Sequence, residues 1–499
     1  MSGGCSGNRI WRASGSGEAA LSSSRTLFLL AAALLVQVSP YWMPVGDGPS
    51  YLSIAKSLAA GNGLSRFGGR HLYYPPGYPI AIAPTFLLSP RPFLAISILH
   101  WLLLLAFMWA THEWLKRQAS GYAIPITALC VVNVGVLHCF HRTLSEGVFM
   151  PLLMWTAVLL DKVVDDDSGR RRVGALALAA VMAAYLCLVR QAGLALAAGF
   201  CLLVSAKAIE KKISWARALR YGSVVGLCAA GATGALVLYD RALALDQGAG
   251  ETYINQFIAS DATLAAWLLE GLRLRVQECG RLLIPGAFKA YGGWLSPCMI
   301  FYVPLFLAVC VGWFRSATSS PSALSFGFPF YVALYVMWPS DQGSRFMTPM
   351  TPLLWLSVVT LILRSRWRPR VSQSLILLIA LSALTAAIYL VDDLKTAWRW
   401  KRHWPAAEAV SRVVPRHATI GVSDVAIPFA LMCSFECDSP IKLIGDDLPV
   451  PATLEFLLAE APAEAVPNFV PVLHVDGVTV LKRGSRLTSR SEQSAPAGE

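Results

Sequence analysis

The chain has 499 residues, 55% hydrophobic and 14% charged, with a mean hydropathy of +0.53; this excludes a soluble globular protein of that length. Its net charge of +12 is dispersed in short basic clusters between apolar runs, so it reads as a topology signal and argues against a nucleic-acid partner.

Residues 1–24, rich in Ser and Gly and without apolar periodicity, read as a disordered cytoplasmic tail. The run "RTLFLLAAALLVQVSPYWM" that follows is long enough to span and lacks a small-x-small cleavage site, so it is expected to stay as the first helix. The first outside loop, 44–92, opens on Asp47. After it, "GPSYLSIAKSLAAGNG" carries helix signals: Pro49 at the first helical position, Tyr51, Ile54, Ala55 and Leu58 at helical spacing, and Gly61 as the stop. Asp47 therefore precedes a helix N-terminus, where free N–H groups and the dipole favour negative charge. On position alone a simple helix cap is the favoured account of it, and Lys56 on the opposite side reads first as a solvated surface lysine. In "HLYYPPGYPIAIAP" adjacent prolines and a glycine make a stiff bend, with Tyr73, Tyr74 and Tyr78 suited to the membrane interface.

Further apolar runs between Phe93 and Leu390 bring the total to about eleven spans. The loops holding Lys116 and Arg117, Lys162 and Arg170 to Arg172, Lys207 to Arg220, Arg315, and Arg364 to Arg370 carry the basic excess and are read as cytoplasmic. The alternate set is then outside: the loop 44–92, the turns around Arg142, Arg190 and Arg345, a longer loop from Asp240 to Ser296, and everything after Asp392. In that last part, "WRWKRHWPAAEAVSRVV" reads as a helix, "ATIGVSD" as a short strand and "FVPVLHVDGVTVLKRG" as a hairpin turned at Asp476-Gly477. Eleven cysteines show no CxxC or Cys/His metal spacing. Most sit in apolar runs as buried thiols, while Cys433 and Cys437 could form a local disulfide if their domain is extracytoplasmic. The expected fold is an all-α polytopic membrane bundle over 25–391 with a small C-terminal extracytoplasmic α/β or α+β domain over 392–499, whose end is disordered.

Basic residues should be scarce in the short outside turns, yet Arg142, Arg190 and Arg345 lie there at span ends. Charge held at that depth is costly unless paired or used. Snorkelling to lipid phosphates, or pairing with Glu146 and Asp341, is the structural alternative. Together with Asp47, Lys56, His138, His141 and Glu146 on the same side, the three arginines instead suggest one anionic site. Guanidinium forks suit a phosphate or diphosphate, most naturally a lipid headgroup at that depth, and a neighbouring carboxylate suits a general base. Tyr74 and Tyr78 are counted with this substrate-binding set.

The ordered set "DGPSYLSIAKSLAAGNGL", "YYPPGYP", "RTLSEGVF", "RQAGL" and "SRFMTPMTPLL" resembles the GT-C class of membrane glycosyltransferases. It resembles in particular the dolichyl-phosphate-mannose protein mannosyltransferase family and its bacterial relatives that add aminoarabinose to lipid A. The resemblance runs from about Arg25 to Leu363. It implies a sugar donor on a polyprenyl or dolichyl phosphate, an extracytoplasmic acceptor of unknown kind, and transfer with inversion. Asp47 matches the base and Glu146 a second acid; the donor phosphate would fall to Arg345 first, then Arg190 and Lys56. Many relatives carry a second acid beside the first, where this chain has Gly48. A lone Asp is a poor ligand set for a hard cation, so no metal or other cofactor is expected. The location implied is the bacterial cytoplasmic membrane, with the site and C-terminus outside. The C-terminal domain is expected to govern the acceptor.

A flippase or transporter of an anionic lipid is a second reading, weakened by the absence of an inverted repeat. A lipid-linked oligosaccharide ligase or polymerase is a third, although such enzymes place their key residues in one large late loop. A catalytically silent scaffold is a fourth.

Overall fold

A computed structural model of the chain describes residues 18–70, 74–165, 169–247, 263–286, 296–338, 341–364, 371–422, 427–444, 454–460, 469–475 and 478–483. Of the tail expected over 1–24, residues 1–17 lie outside this set, and α1 (Glu18–Ala33) begins within the remainder. The loop 44–92 holds α2 (Gly48–Ala59), a minimal hairpin of β1 (Ser65–Arg66) and β2 (Gly69–Arg70), and α3 (Gly77–Ile82). Helix α2 starts with Pro49 in its first turn and ends before Gly61, which takes a φ of +77°. It presents Tyr51, Leu52, Ile54 and Ala55 to the interior.

The bundle follows with α4 (Phe93–Ala119), α5 (Ala123–Val131), α6 (Val134–His141), α7 (Glu146–Asp165), α8 (Gly169–Val189), α9 (Leu194–Ile209) and α10 (Trp215–Gln247). Next come α11 (Leu264–Leu283), α12 (Met299–Ser319), α13 (Ala323–Val336), α14 (Thr351–Leu363) and α15 (Val371–Lys401). Among the described residues seven helical stretches are long and apolar enough to cross a membrane, the first a 39-residue run, Phe93–Val131, in which α4 turns back into α5. Four shorter apolar helices accompany them. Large apolar side chains such as Phe28, Leu227, Ile300 and Phe301 point outward, as the hydrocarbon-facing surface of an integral, multi-pass membrane protein requires.

Helix contacts rely on close backbone approach. A Cβ on Gly199 would lie 2.3 Å from the backbone nitrogen of Gly327, which lets α9 and α13 touch, and one on Gly312 would lie 2.1 Å from the Ser357 carbonyl. The segment 240–296, read from sequence as a loop, contains α11. Its charged residues, among them Glu270, Arg273, Arg275 and Glu278, keep it below the hydropathy of a span, while one face packs on α12, α13 and α14.

The C-terminal domain comprises α16 (Trp404–Val413), β3 (Ile420–Val422), α17 (Ile427–Cys437), β4 (Ile441–Leu443), β5 (Phe456–Glu460), β6 (Phe469–Val475) and β7 (Val478–Arg483). Its five-stranded sheet has the order β4-β3-β5-β7-β6. The first three strands are parallel, while β5-β7 and β7-β6 are antiparallel. The expected β6–β7 pairing is present; its turn at Asp476-Gly477 lies outside the described residues. Cys433 and Cys437 are buried free thiols on α17.

Candidate active site

Four side chains distant in sequence meet at one end of the bundle. Arg345, in the turn between α13 and α14, reaches Asp47 through Nη1 at 2.9 Å. The same guanidinium holds Glu146 with Nε at 2.9 Å from Oε1 and Nη2 at 3.3 Å from Oε2. Glu146, at the first position of α7, also accepts Arg190 Nη1 on Oε1 at 2.5 Å. Arg190 lies in the break between α8 and α9, in extended backbone conformation, and its remaining N–H groups reach Ser145 Oγ at 3.1 Å and Tyr335 Oη at 3.2 Å. The chain of charges is therefore Asp47, Arg345, Glu146, Arg190.

Exposure separates the two carboxylates. The Glu146 side chain is fully buried, Arg190 and Arg345 are 14% exposed, and Asp47 is 28% exposed. Asp47 is thus the carboxylate an incoming molecule can reach. Burial opposes charge on both arginines, but Glu146 outweighs it at Arg190, and Glu146 with Asp47 outweighs it at Arg345, so both pKa values stand above the ordinary arginine value. Both remain cations.

Asp47 sits at the N-cap position of α2, yet its side chain makes no capping bond. Its Oδ1 accepts from Tyr74 Oη at 3.3 Å and its Oδ2 faces Arg345. The capping account of this carboxylate fails on that geometry. At Gly48, a Cβ would come within 2.6 Å of Thr143 Oγ1 and 3.2 Å of the Trp42 ring. The position beside Asp47 is thereby closed to a second acid as the chain is folded. Among the described residues no group of three or more His, Cys, Asp or Glu side chains could hold a metal ion.

The other residues selected from sequence are placed differently. Tyr78 is completely buried and its hydroxyl meets His100 Nε2 at 3.1 Å, so it is a core residue beneath the site and does not face a substrate. Its ring packs edge-on to Tyr51, which in turn packs against Tyr74. Lys56 stands away from the cluster, with its ammonium 5.7 Å above the Phe435 ring of the C-terminal domain. His141 and Arg142 also stand apart: each is 2.5 Å from an oxygen of Asp393 on α15. His138 approaches Tyr389 Oη at 3.1 Å. Residues that sequence reading left out include Tyr335, Ser145 and Phe346. The guanidinium groups of Arg190 and Arg275 both approach the Phe346 ring, at 5.5 Å and 4.9 Å from its centroid. Ser145 and Phe346 had a signal, as the neighbours of Glu146 and Arg345; Tyr335 looks like any other aromatic in apolar sequence.

The bundle with this end-on cluster and its C-terminal domain has the GT-C fold. ArnT from Cupriavidus metallidurans, solved with bound undecaprenyl phosphate, is similar at a TM-score of 0.56 and 12% identity, over 92% of this chain and 98% of that one. The oligosaccharyltransferase of Archaeoglobus fulgidus, solved with zinc and sulfate, is similar at a TM-score of 0.51 and 10% identity, over 87% of this chain and 68% of its own. No protein-family model and no curated protein sequence matches the chain.

Proposed function

We propose that this chain transfers a sugar from a polyprenyl- or dolichyl-phosphate donor to an acceptor on the extracytoplasmic face, inverting the anomeric centre. The observation that carries the reading is the continuous Asp47–Arg345–Glu146–Arg190 cluster at one end of a GT-C bundle. The GT-C neighbour ArnT, solved with undecaprenyl phosphate, supports the lipid-phosphate class.

In this mechanism Glu146 is the buried counter-charge that fixes both guanidinium groups, and Arg345 and Arg190 receive the donor phosphate. A phosphate oxygen arriving at Arg345 displaces Asp47 from it, so donor binding frees the base. Asp47 then takes the proton of the acceptor hydroxyl or amine as that atom bonds to the anomeric carbon. The bond from that carbon to the phosphate oxygen breaks, and its electron pair leaves with the lipid phosphate. Fixed cations meet the growing charge without reorganising, and holding acceptor, carbon and phosphate in line lowers the barrier further.

The test is Asp47→Asn in purified protein with polyprenyl-phosphate sugar. Transfer or donor cleavage is expected to fall by about 100-fold or more, the usual contribution of a general base, while polyprenyl-phosphate affinity is retained. Unchanged transfer by folded Asp47→Asn protein would sink the assignment.

A further inference from the structure

The turn joining α6 to α7, His141 to Glu146, ties its side chains to residues of several other elements. Glu146 holds Arg190 and Arg345, and Ser145 Oγ accepts from Arg190. Leu144 is 1% exposed. Thr143 Oγ1 accepts the Trp42 indole N–H at 3.1 Å and closes against Gly48, beside Asp47. His141 and Arg142 both reach Asp393, whose carboxylate also accepts from Tyr389 Oη at 3.1 Å.

Asp393 is 4% exposed, and a carboxylate so far from water needs charged partners and hydrogen bonds. A carboxylate serving only to fasten α15 could take its partners anywhere along α6. This one grips the two residues that begin the turn. The backbone from Arg142 onward is tight, with Leu144 N–H donating to the Arg142 carbonyl at 2.8 Å and Phe149 N–H to Ser145 at 3.0 Å. No helical turn lies between Arg142 and Glu146 to absorb a displacement.

We propose that Asp393 is a positioning residue: through His141 and Arg142 it fixes the turn that sets Glu146, and through Glu146 the two arginines. The inference rests on the reading of those arginines as the donor-phosphate cradle. It also gives α15, which leads into the C-terminal domain, a direct hold on the site.

The experiment uses the full chain in lipid nanodiscs with two variants. Asp393→Asn removes the charge. Asp393→Glu keeps the charge, and so guards against loss of fold, but moves both partners by a methylene. Hydrogen exchange over 141–149 and titration with decaprenyl phosphate are measured together. Exchange in that stretch is expected to speed up in both variants while α9 is unaffected. Affinity should fall by about tenfold or more in Asp393→Asn, with Asp393→Glu between it and the parent. A role confined to stability predicts parental affinity in folded Asp393→Glu protein. Parental exchange and affinity in either folded variant would overturn the proposal. If the parent chain itself does not bind decaprenyl phosphate while exchange over 141–149 still accelerates, the positioning role stands and the lipid-phosphate reading fails.

Discussion

Asp47 and Gly48 form one unit at the scale of single residues. The carboxylate is drawn toward Arg345 and Tyr74 because the residue after it has no side chain, so α2 can start directly against Thr143 and Trp42. Adding one methyl there forces Thr143 aside and breaks its bond from the Trp42 indole. Gly48→Ala is therefore expected to lower stability by about 1–3 kcal/mol, the usual range for overpacking, and to reduce turnover as Asp47 shifts. Adding Thr143→Ala, which removes the opposing oxygen, should recover much of the turnover. Thermal unfolding in detergent and transfer assays on both variants check this; full turnover in Gly48→Ala alone would count against it. The charges of the site were legible in the sequence because each interrupts an apolar pattern at a span end. Where Lys56, His141 and Arg142 point was not legible. Their partners, Phe435 and Asp393, are hundreds of residues away, and no local spacing encodes such a pairing.

Among the elements, hydropathy identified the long spans but not α11, because an amphipathic helix with buried charges resembles an outside loop in composition. That helix underlies the Arg345 turn. Glu278 on α11 accepts the Met347 backbone N–H at 2.9 Å, and Arg275, one turn earlier, stacks on Phe346. The two residues after Arg345 are thus held from below. Burial pushes the Glu278 carboxyl up to about 8, outweighing the nearby Arg275. The folded chain then binds more protons at this position than the unfolded chain between about pH 4.5 and 8. Stability is accordingly lost as pH rises through that window. Glutamine is a neutral mimic of the protonated acid and keeps the acceptor for Met347. Glu278→Gln is expected to unfold like the parent at low pH and to be the more stable protein at pH 9, whereas Glu278→Ala should be less stable at low pH and impair transfer. Melting curves across pH decide it. If Glu278→Gln destabilises equally at every pH, the carboxylate is ionised and serves mainly as the partner of Arg275.

At the scale of the whole molecule, the C-terminal domain is a wall of the loop 44–92 and not a tethered accessory. Ser53 on α2 donates to Asp438 Oδ1 at 2.6 Å and accepts from Phe67 N–H at 2.8 Å. Phe67, His417 and Asp438 all have positive φ, at 50°, 70° and 49°, and they meet here, with the His417 ring seated over Gly68. Non-glycine residues in that region cost roughly 1–3 kcal/mol each and persist only where the surroundings over-determine them. At the other end of the loop, Arg91 pairs with Glu436 at 2.8 Å and Glu408 at 3.4 Å, and its guanidinium lies over Trp404. Trp42, Phe93, Trp404 and Phe435 stack into one aromatic cluster beside it. Composition announced a separate domain, but no local pattern signals this interlock, since its contacts join residues more than 300 positions apart. A domain so placed is coupled to Asp47 through α2. Ser53→Ala combined with Arg91→Ala should therefore loosen α2, raising its hydrogen exchange, and lower donor-linked turnover severalfold while the β3 to β7 amides stay protected. Ser57→Ala, one turn further along α2 in an exposed bond to Gly63, is the control expected to change neither. Unaltered α2 exchange and turnover in the double variant would return the domain to a role confined to the acceptor.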